Sequence, residues 1–207
     1  MRRPDWAASR TGDLMMRIFH LAALALVGSL AGFAVSGAAG QEQAQPEPAT
    51  NTFGRWTTII DTLDIGQDAH KTCAASAAFV DGIGNAGTLT LSISTGDALP
   101  PDAYPAIMIA VDNKDLPTGK DIAATFGDPG IKVSAKVYSN AVGGRPSWTV
   151  DNQAKTSLAL LRAMRKVTSL DVVFGKQTVA SIPMDGFTKA YRNLGTSCGF
   201  PTKDVAP

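Results

Sequence analysis

Between Phe53 and Phe200 the apolar positions recur mostly with a period of two, the spacing of strands with one face on a core and one on water. Thr88 to Ser94 alternates strictly, which predicts a half-buried strand with Leu89, Leu91 and Ile93 inward. Ile131 to Val137 alternates again and puts Lys132 and Lys136 on the wet face. Trp56 to Ile60 is β-branched and aromatic, and Ala106 to Val111 is a short apolar run; both predict strands. Ser147 to Val150 predicts a brief strand after a turn at Gly143-Gly144-Arg145-Pro146. Cys73 to Val80 is rich in alanine and fits either a strand or a short helix. Asp64 to Asp68 reads as a loop, and Pro100-Pro101 interrupts the pattern.

The period then changes. From Thr156 to Val167, Leu158, Leu161 and Arg165 fall on neighbouring turns, with Leu160, Ala163 and Met164 widening the apolar side, which predicts a helix. Leu170 to Phe174 and Gln177 to Ile182 read as a hairpin around Gly175-Lys176. Phe187, Ala190, Tyr191 and Leu194 share the i, i+3, i+4, i+7 face of a last helix, for which Gly195 is the expected stop. The order predicts a mainly β chain: a single antiparallel β-sandwich or barrel-like domain with one or two helices toward the C-terminus.

The N-terminal pattern is of another kind. Arg17 precedes an apolar run from Ile18 to Val27 that continues, with Gly and Ser interruptions, to Val35; small residues follow to Gly40. A basic flank, an apolar core and small residues predict a secretory signal cleaved after Ala38 or Gly40. The alternative is an uncleaved anchor. Gln41 to Thr50 is polar and proline-containing, with no apolar period. The expected organisation is therefore residues 1–40 as N-terminal extension and signal peptide, 41–52 as flexible linker, 53–200 as globular domain and 201–207 as tail.

Formal net charge is +1, which does not indicate a large basic surface for nucleic acid. The two cysteines, Cys73 and Cys198, both fall in the part expected to be exported. An even count in an oxidising compartment predicts a Cys73–Cys198 disulfide. The alternatives are buried thiols or a metal pair.

Several motifs imitate chemistry. Gly82-x-Gly84-x-x-Gly87 has dinucleotide-turn spacing, with Asp102 about 20 residues on. That turn must open a helix whose amides face the pyrophosphate, whereas here the strongest strand pattern follows. Gly195-Thr196-Ser197-Cys198-Gly199 matches a hydrolase elbow, but it follows a helical stretch rather than a strand. His70 sits in a polar stretch and reads as a solvated surface histidine, with an acid–base role as the alternative. Asp112 with Asp115, and Asp61, Asp64 and Asp68, read as solvated loop acids; pairing as acid–base groups or holding a cation is the alternative, and neither set has calcium-loop spacing. Arg162-Ala163-Met164-Arg165-Lys166 reads as a solvated helix end or an anion-facing patch. Trp148, near Arg145, reads as core rather than as a binding aromatic. These readings yield no catalytic, cofactor or metal residues.

The late segment carries a resemblance. The basic helix Leu160 to Lys166, the strand Leu170 to Phe174, and Ser181-Ile182-Pro183-Met184-Asp185-Gly186-Phe187-Thr188-Lys189-Ala190 resemble the C-terminal half of the invasion-associated locus B family of exported proteins. The resemblance implies a small β-rich periplasmic protein linked to the envelope or to host interaction. It supplies no catalytic residues. The leading expectation is thus a periplasmic or secreted non-enzymatic module with an unidentified protein or envelope partner and no cofactor. The alternatives are a secreted hydrolase whose site is assembled by the fold, with His70 as its handle, and a module tethered to the membrane through an uncleaved Ile18–Val35 segment.

Overall fold

A computed structural model describes residues 47–64, 69–95 and 104–207. Its strands are β1 (Ala49–Phe53), β2 (Trp56–Asp64), β3 (Ala69–Val80), β4 (Ala86–Thr95), β5 (Ala106–Val111), β6 (Ile122–Gly127), β7 (Lys132–Val142), β8 (Arg145–Val150), β9 (Ser169–Phe174) and β10 (Gln177–Pro183). Helix α1 is Ala154–Lys166 and helix α2 is Phe187–Cys198. All the strands join one open sheet in the order β1-β2-β3-β4-β5-β8-β7-β6-β9-β10, antiparallel throughout. The chain is therefore mainly antiparallel β, with two helices toward its C-terminus.

Alternation decides which face is inside. Leu89, Leu91 and Ile93 are buried as their spacing predicts, and the residues between them face outward. Lys132 and Lys136 are exposed opposite Val133 and Val137. The alanine-rich stretch forms β3, a strand, and its inward residues Ala75 and Ala77 are fully buried. Their small size has a use: the sheet rolls until β10, with Ala180 buried, packs against β3. A large side chain on either strand would hold them apart.

Both helices bury an apolar stripe on the sheet. Helix α1 packs on β6 and β7 through Leu160, Leu161 and Met164. Helix α2 packs on β1 to β4 through Phe187, Ala190, Tyr191 and Leu194. Phe187 meets Trp56 edge-on at 5.2 Å and Tyr191 at 5.8 Å between ring centroids. Each such large apolar side chain contributes about 1.5–3 kcal/mol on burial.

The structure departs from the sequence pattern in identifiable places. The sheet begins at Ala49, inside the stretch expected to be a linker, because polar β1 pairs with β2 along its whole length. Strand β6 was not expected: Ile122, Thr125 and Phe126 suit a strand, but Ala123-Ala124 between them blurs the alternation, and the strand is set by pairing on both sides with β7 and β9. Arg145 and Pro146 belong to β8, so the turn is Gly143-Gly144 alone. Asp64 ends β2 rather than opening a loop. Helix α2 runs past Gly195 to Cys198, and the N–H of Gly199 closes it on the Gly195 carbonyl. Gly195 is needed for another reason. A Cβ there would lie 2.2 Å from Thr202 Cγ2 and 2.9 Å from the Phe200 carbonyl, so it makes room for the returning chain.

The C-terminal stretch is packed, not a free tail. Val205 and Ala206 are buried. Arg162 Nε donates to the Asp204 carbonyl at 2.7 Å, Arg165 Nη1 to that of Val205 at 3.4 Å and Arg192 Nε to that of Ala206 at 3.0 Å. The segment expected to be a signal, residues 65–68 of the expected loop, and Pro100-Pro101 lie outside the described residues.

Candidate functional site

The most built feature on the surface is the tip of the β3–β4 hairpin, the glycine-rich stretch noted in the sequence. Asp81 organises it. The side chain is buried beneath the loop and accepts from the N–H of Asn85 at 2.7 Å, the N–H of Ile83 at 3.1 Å, and Asn85 Nδ2 at 3.1 Å. Asn113, also buried, reaches in from the stretch after β5 and donates through Nδ2 at 2.9 Å. Burial alone pushes the Asp81 carboxyl up. The Asn85, Ile83 and Asn113 donors outweigh that and hold its pKa below the ordinary value.

The glycines follow from this geometry. Gly84 has φ +96°, a conformation the loop imposes between two donors to one carboxylate. Gly87 lies under a ring: a Cβ there would sit 2.3 Å from Phe79 Cζ. No helix follows, so no amide-lined phosphate site exists, and the dinucleotide spacing is a by-product of a tight hairpin.

The loop presents apolar side chains. Ile83 is 70% exposed at the tip and Val80 62% at its base. Arg145, from β8, crosses β5 and donates to the Ala86 carbonyl at 3.0 Å, tying the β7–β8 turn to this hairpin. Val142, half-exposed, flanks that turn. An apolar tip on a hydrogen-bonded base suits docking, because little conformational entropy remains to be lost on contact. Comparison with family models, curated proteins and solved structures finds no match to this chain.

The other candidate residues do not converge. His70 lies half-buried on β3 opposite Leu63, and among the described residues its side chain makes no hydrogen bond or ion pair. Asp112 and Asp115 are both exposed and flank Asn113, the residue between them that does take part in the loop. Asp61 is exposed on β2, and Asp68 lies outside the described residues. Among the described residues no group of three or more His, Cys, Asp or Glu could hold a metal. Ser197 lies within α2, which removes the sharp strand-to-helix turn an elbow needs. Arg162 and Arg165 are spent on tail carbonyls rather than left as a free basic patch. Trp148 is core: its Nε1 donates to the Pro117 carbonyl at 2.8 Å and its ring packs on Phe174.

Cys73 and Cys198 are bonded, with Cα atoms 6.2 Å apart. Tyr191 is a buried polar group on the same helix as Cys198. Burial first, then the Asp204 carboxylate and Tyr104, push the Tyr191 hydroxyl far above its ordinary pKa, so it stays protonated. Tyr104 donates to Asp204 Oδ2 at 2.5 Å. Sequence reasoning missed Asp81 and its partner Asn113. The signal available for Asp81 alone was an Asp directly before Gly-x-Gly-Asn between two strands, which marks a side chain closing its own loop.

The Asp81 pKa is depressed, so its contribution to stability is complete above the unfolded value of about 3.9 and is lost as pH falls through the folded value. Asp81→Asn should therefore melt below wild type above about pH 5. The gap should close toward acid, and a gap independent of pH would contradict the assignment.

Proposed function

We propose that this chain is an exported, non-enzymatic envelope or host-interaction module of the periplasm or cell exterior, docking its partner at the Asp81-organised hairpin end. The Cys73–Cys198 bond carries the reading: a disulfide joining strand to last helix persists where the compartment is oxidising. The signal-like pattern ahead of Gln41 supports the same compartment. So does the resemblance to the invasion-associated locus B family, whose late segment corresponds here to α1, β9, β10 and the start of α2. Docking at the hairpin end is supported by the apolar Val80 and Ile83 on a base fixed by Asp81.

Osmotic-shock fractionation with intact-mass measurement tests this. The expected result is release with the periplasmic fraction as a chain beginning after Ala38 or Gly40. Retention of Ile18–Val35 and recovery only with membranes would favour the tethered alternative and count against this reading.

A further inference from the structure

The two edges of the open sheet, β1 and β10, are unlike. A sheet edge presents unpaired backbone N–H and C=O groups, and natural edges are guarded by charge, proline or a bulge. The β10 edge is guarded: its register shifts between Thr178 and Ala180, it ends at Pro183, and it packs back onto β3. The β1 edge is not. Ala49–Phe53 holds no charge and no proline, pairs with β2 without a register break, and is exposed from Ala49 to Thr52.

The hairpin register fixes which groups are open. The loop between β1 and β2 is two residues, Gly54-Arg55, with Gly54 at φ +56°. In such a hairpin the flanking residues, here Phe53 and Trp56, exchange both backbone bonds, and bonded pairs alternate from there. Ala49, Asn51 and Phe53 therefore turn their N–H and C=O groups to β2. Thr50 and Thr52 turn theirs away from it, about 7 Å apart along the strand. Among the described residues nothing pairs with these two donors and two acceptors.

A cavity of about 360 Å³ adjoins the same strand, lined in part by Thr52, Phe53, Asp185, Thr188 and Lys189. It lies between the end of β1 and the start of α2. Asp185 offers it acceptors and Lys189 donors, and neither is ion-paired among the described residues.

We propose that the β1 edge is a strand-addition site. It takes an extended segment of another protein, which lengthens the sheet and sets one amide side chain, Asn or Gln, into the Asp185–Lys189 cavity. The open groups select this occupant. A phosphate or carboxylate carries acceptors alone and would leave both threonine carbonyls unanswered, whereas an extended main chain answers all four groups. The residue opposite Phe53 shares its face of the sheet, and Phe53 lines the cavity, so that residue's side chain enters it. An amide fits because it donates to Asp185 and accepts from Lys189 at once. A second copy fits less well. Two β1 strands paired about a two-fold axis at Asn51 would set Thr50 opposite Thr52 and Ala49 opposite Phe53. The alanine methyl answers neither charged group in the cavity. This edge is separate from the hairpin end formed by β3 and β4, and the inference does not rest on docking there.

Random dodecapeptides displayed in many copies on phage, selected on the purified chain, test the proposal. The tightest peptide is then synthesised and its binding to the full chain followed by fluorescence anisotropy. The expected result is an Asn or Gln at one shared position and an N-methyl scan that alternates. Blocking every second backbone N–H of the peptide weakens binding about 10-fold, and the N–H groups between them tolerate it. Thr50→Pro and Thr52→Pro each remove one open N–H and should weaken binding by a similar factor, with the fold checked by circular dichroism. If a variant misfolds, the N-methyl scan, which leaves the protein untouched, decides. A selection that yields no binding peptide would overturn the proposal. So would peptides that tolerate N-methylation throughout, or that bind both folded proline variants as they bind wild type. A dimer of the chain that Thr50→Pro dissociates would also overturn it, because the occupant would then be a second copy.

Discussion

Cys198→Ser should lower the melting temperature by about 10 °C or more under oxidising conditions. The bond closes a separation of 125 residues, and a loop of that length stabilises by up to about 5 kcal/mol through the unfolded state. Each kcal/mol shifts melting by about 2–4 °C for a domain of this size. Both half-cystines are buried, so the variant also leaves a thiol of Cys73 and a hydroxyl inside the core. The damage should be local. Without the bond, α2 is held by Phe187, Ala190, Tyr191 and Leu194, and a stripe that short is marginal alone. Proteolysis should begin near the C-terminus while the β3–β4–β5 region stays protected. Unchanged melting in oxidised samples would contradict this account of α2.

Gly186→Ala should cost about 3–4 kcal/mol, measured by urea denaturation. Gly186 caps α2 at φ +88°, where a Cβ is strained. Packing makes it worse. A Cβ there would fall 1.7 Å from the Phe53 carbonyl, which is backbone and cannot swing aside. The variant therefore drives the helix start away from the β1–β2 hairpin, where the Arg55 N–H now donates to the Asp185 carbonyl at 3.0 Å. Gly143→Ala separates the two causes. Gly143 has φ +57° with open space around its Cβ position, so that variant should lose only about 1 kcal/mol. Equal losses in the two variants would show that conformation, not contact, sets the effect.

Side-chain period made much of this fold legible. Leu89-x-Leu91-x-Ile93 and the Phe187–Leu194 stripe each fix which face is buried, and both faces lie where expected. The bonded cysteines were legible from their number and setting. What escaped has physical reasons. Short β1 is polar and β6 has its alternation blurred by Ala123-Ala124, so neither shows a clear apolar period, and both are fixed by pairing with their neighbours. Gly195 resembled a helix stop because its clearance for Thr202 and Phe200 arises only when the chain returns. The basic end of α1 resembled a solvated patch because its acceptors are backbone carbonyls some 40 residues away. The candidate site was visible as glycine spacing but misleading in kind. Its organiser, Asp81, was readable as an Asp before Gly-x-Gly-Asn, but its further donor Asn113 lies 32 residues on, and no local pattern announces that contact.

The proposal that the chain is exported, with its Cys73–Cys198 bond formed there, is tested most directly by its thiol state in the cell. Cells would be lysed with a membrane-permeant alkylating agent under denaturing conditions, and the intact mass of the protein read before and after reduction. The account predicts no alkyl group before reduction and, after it, one each on Cys73 and Cys198. Alkylation of both before reduction would show free thiols in the native compartment and contradict it.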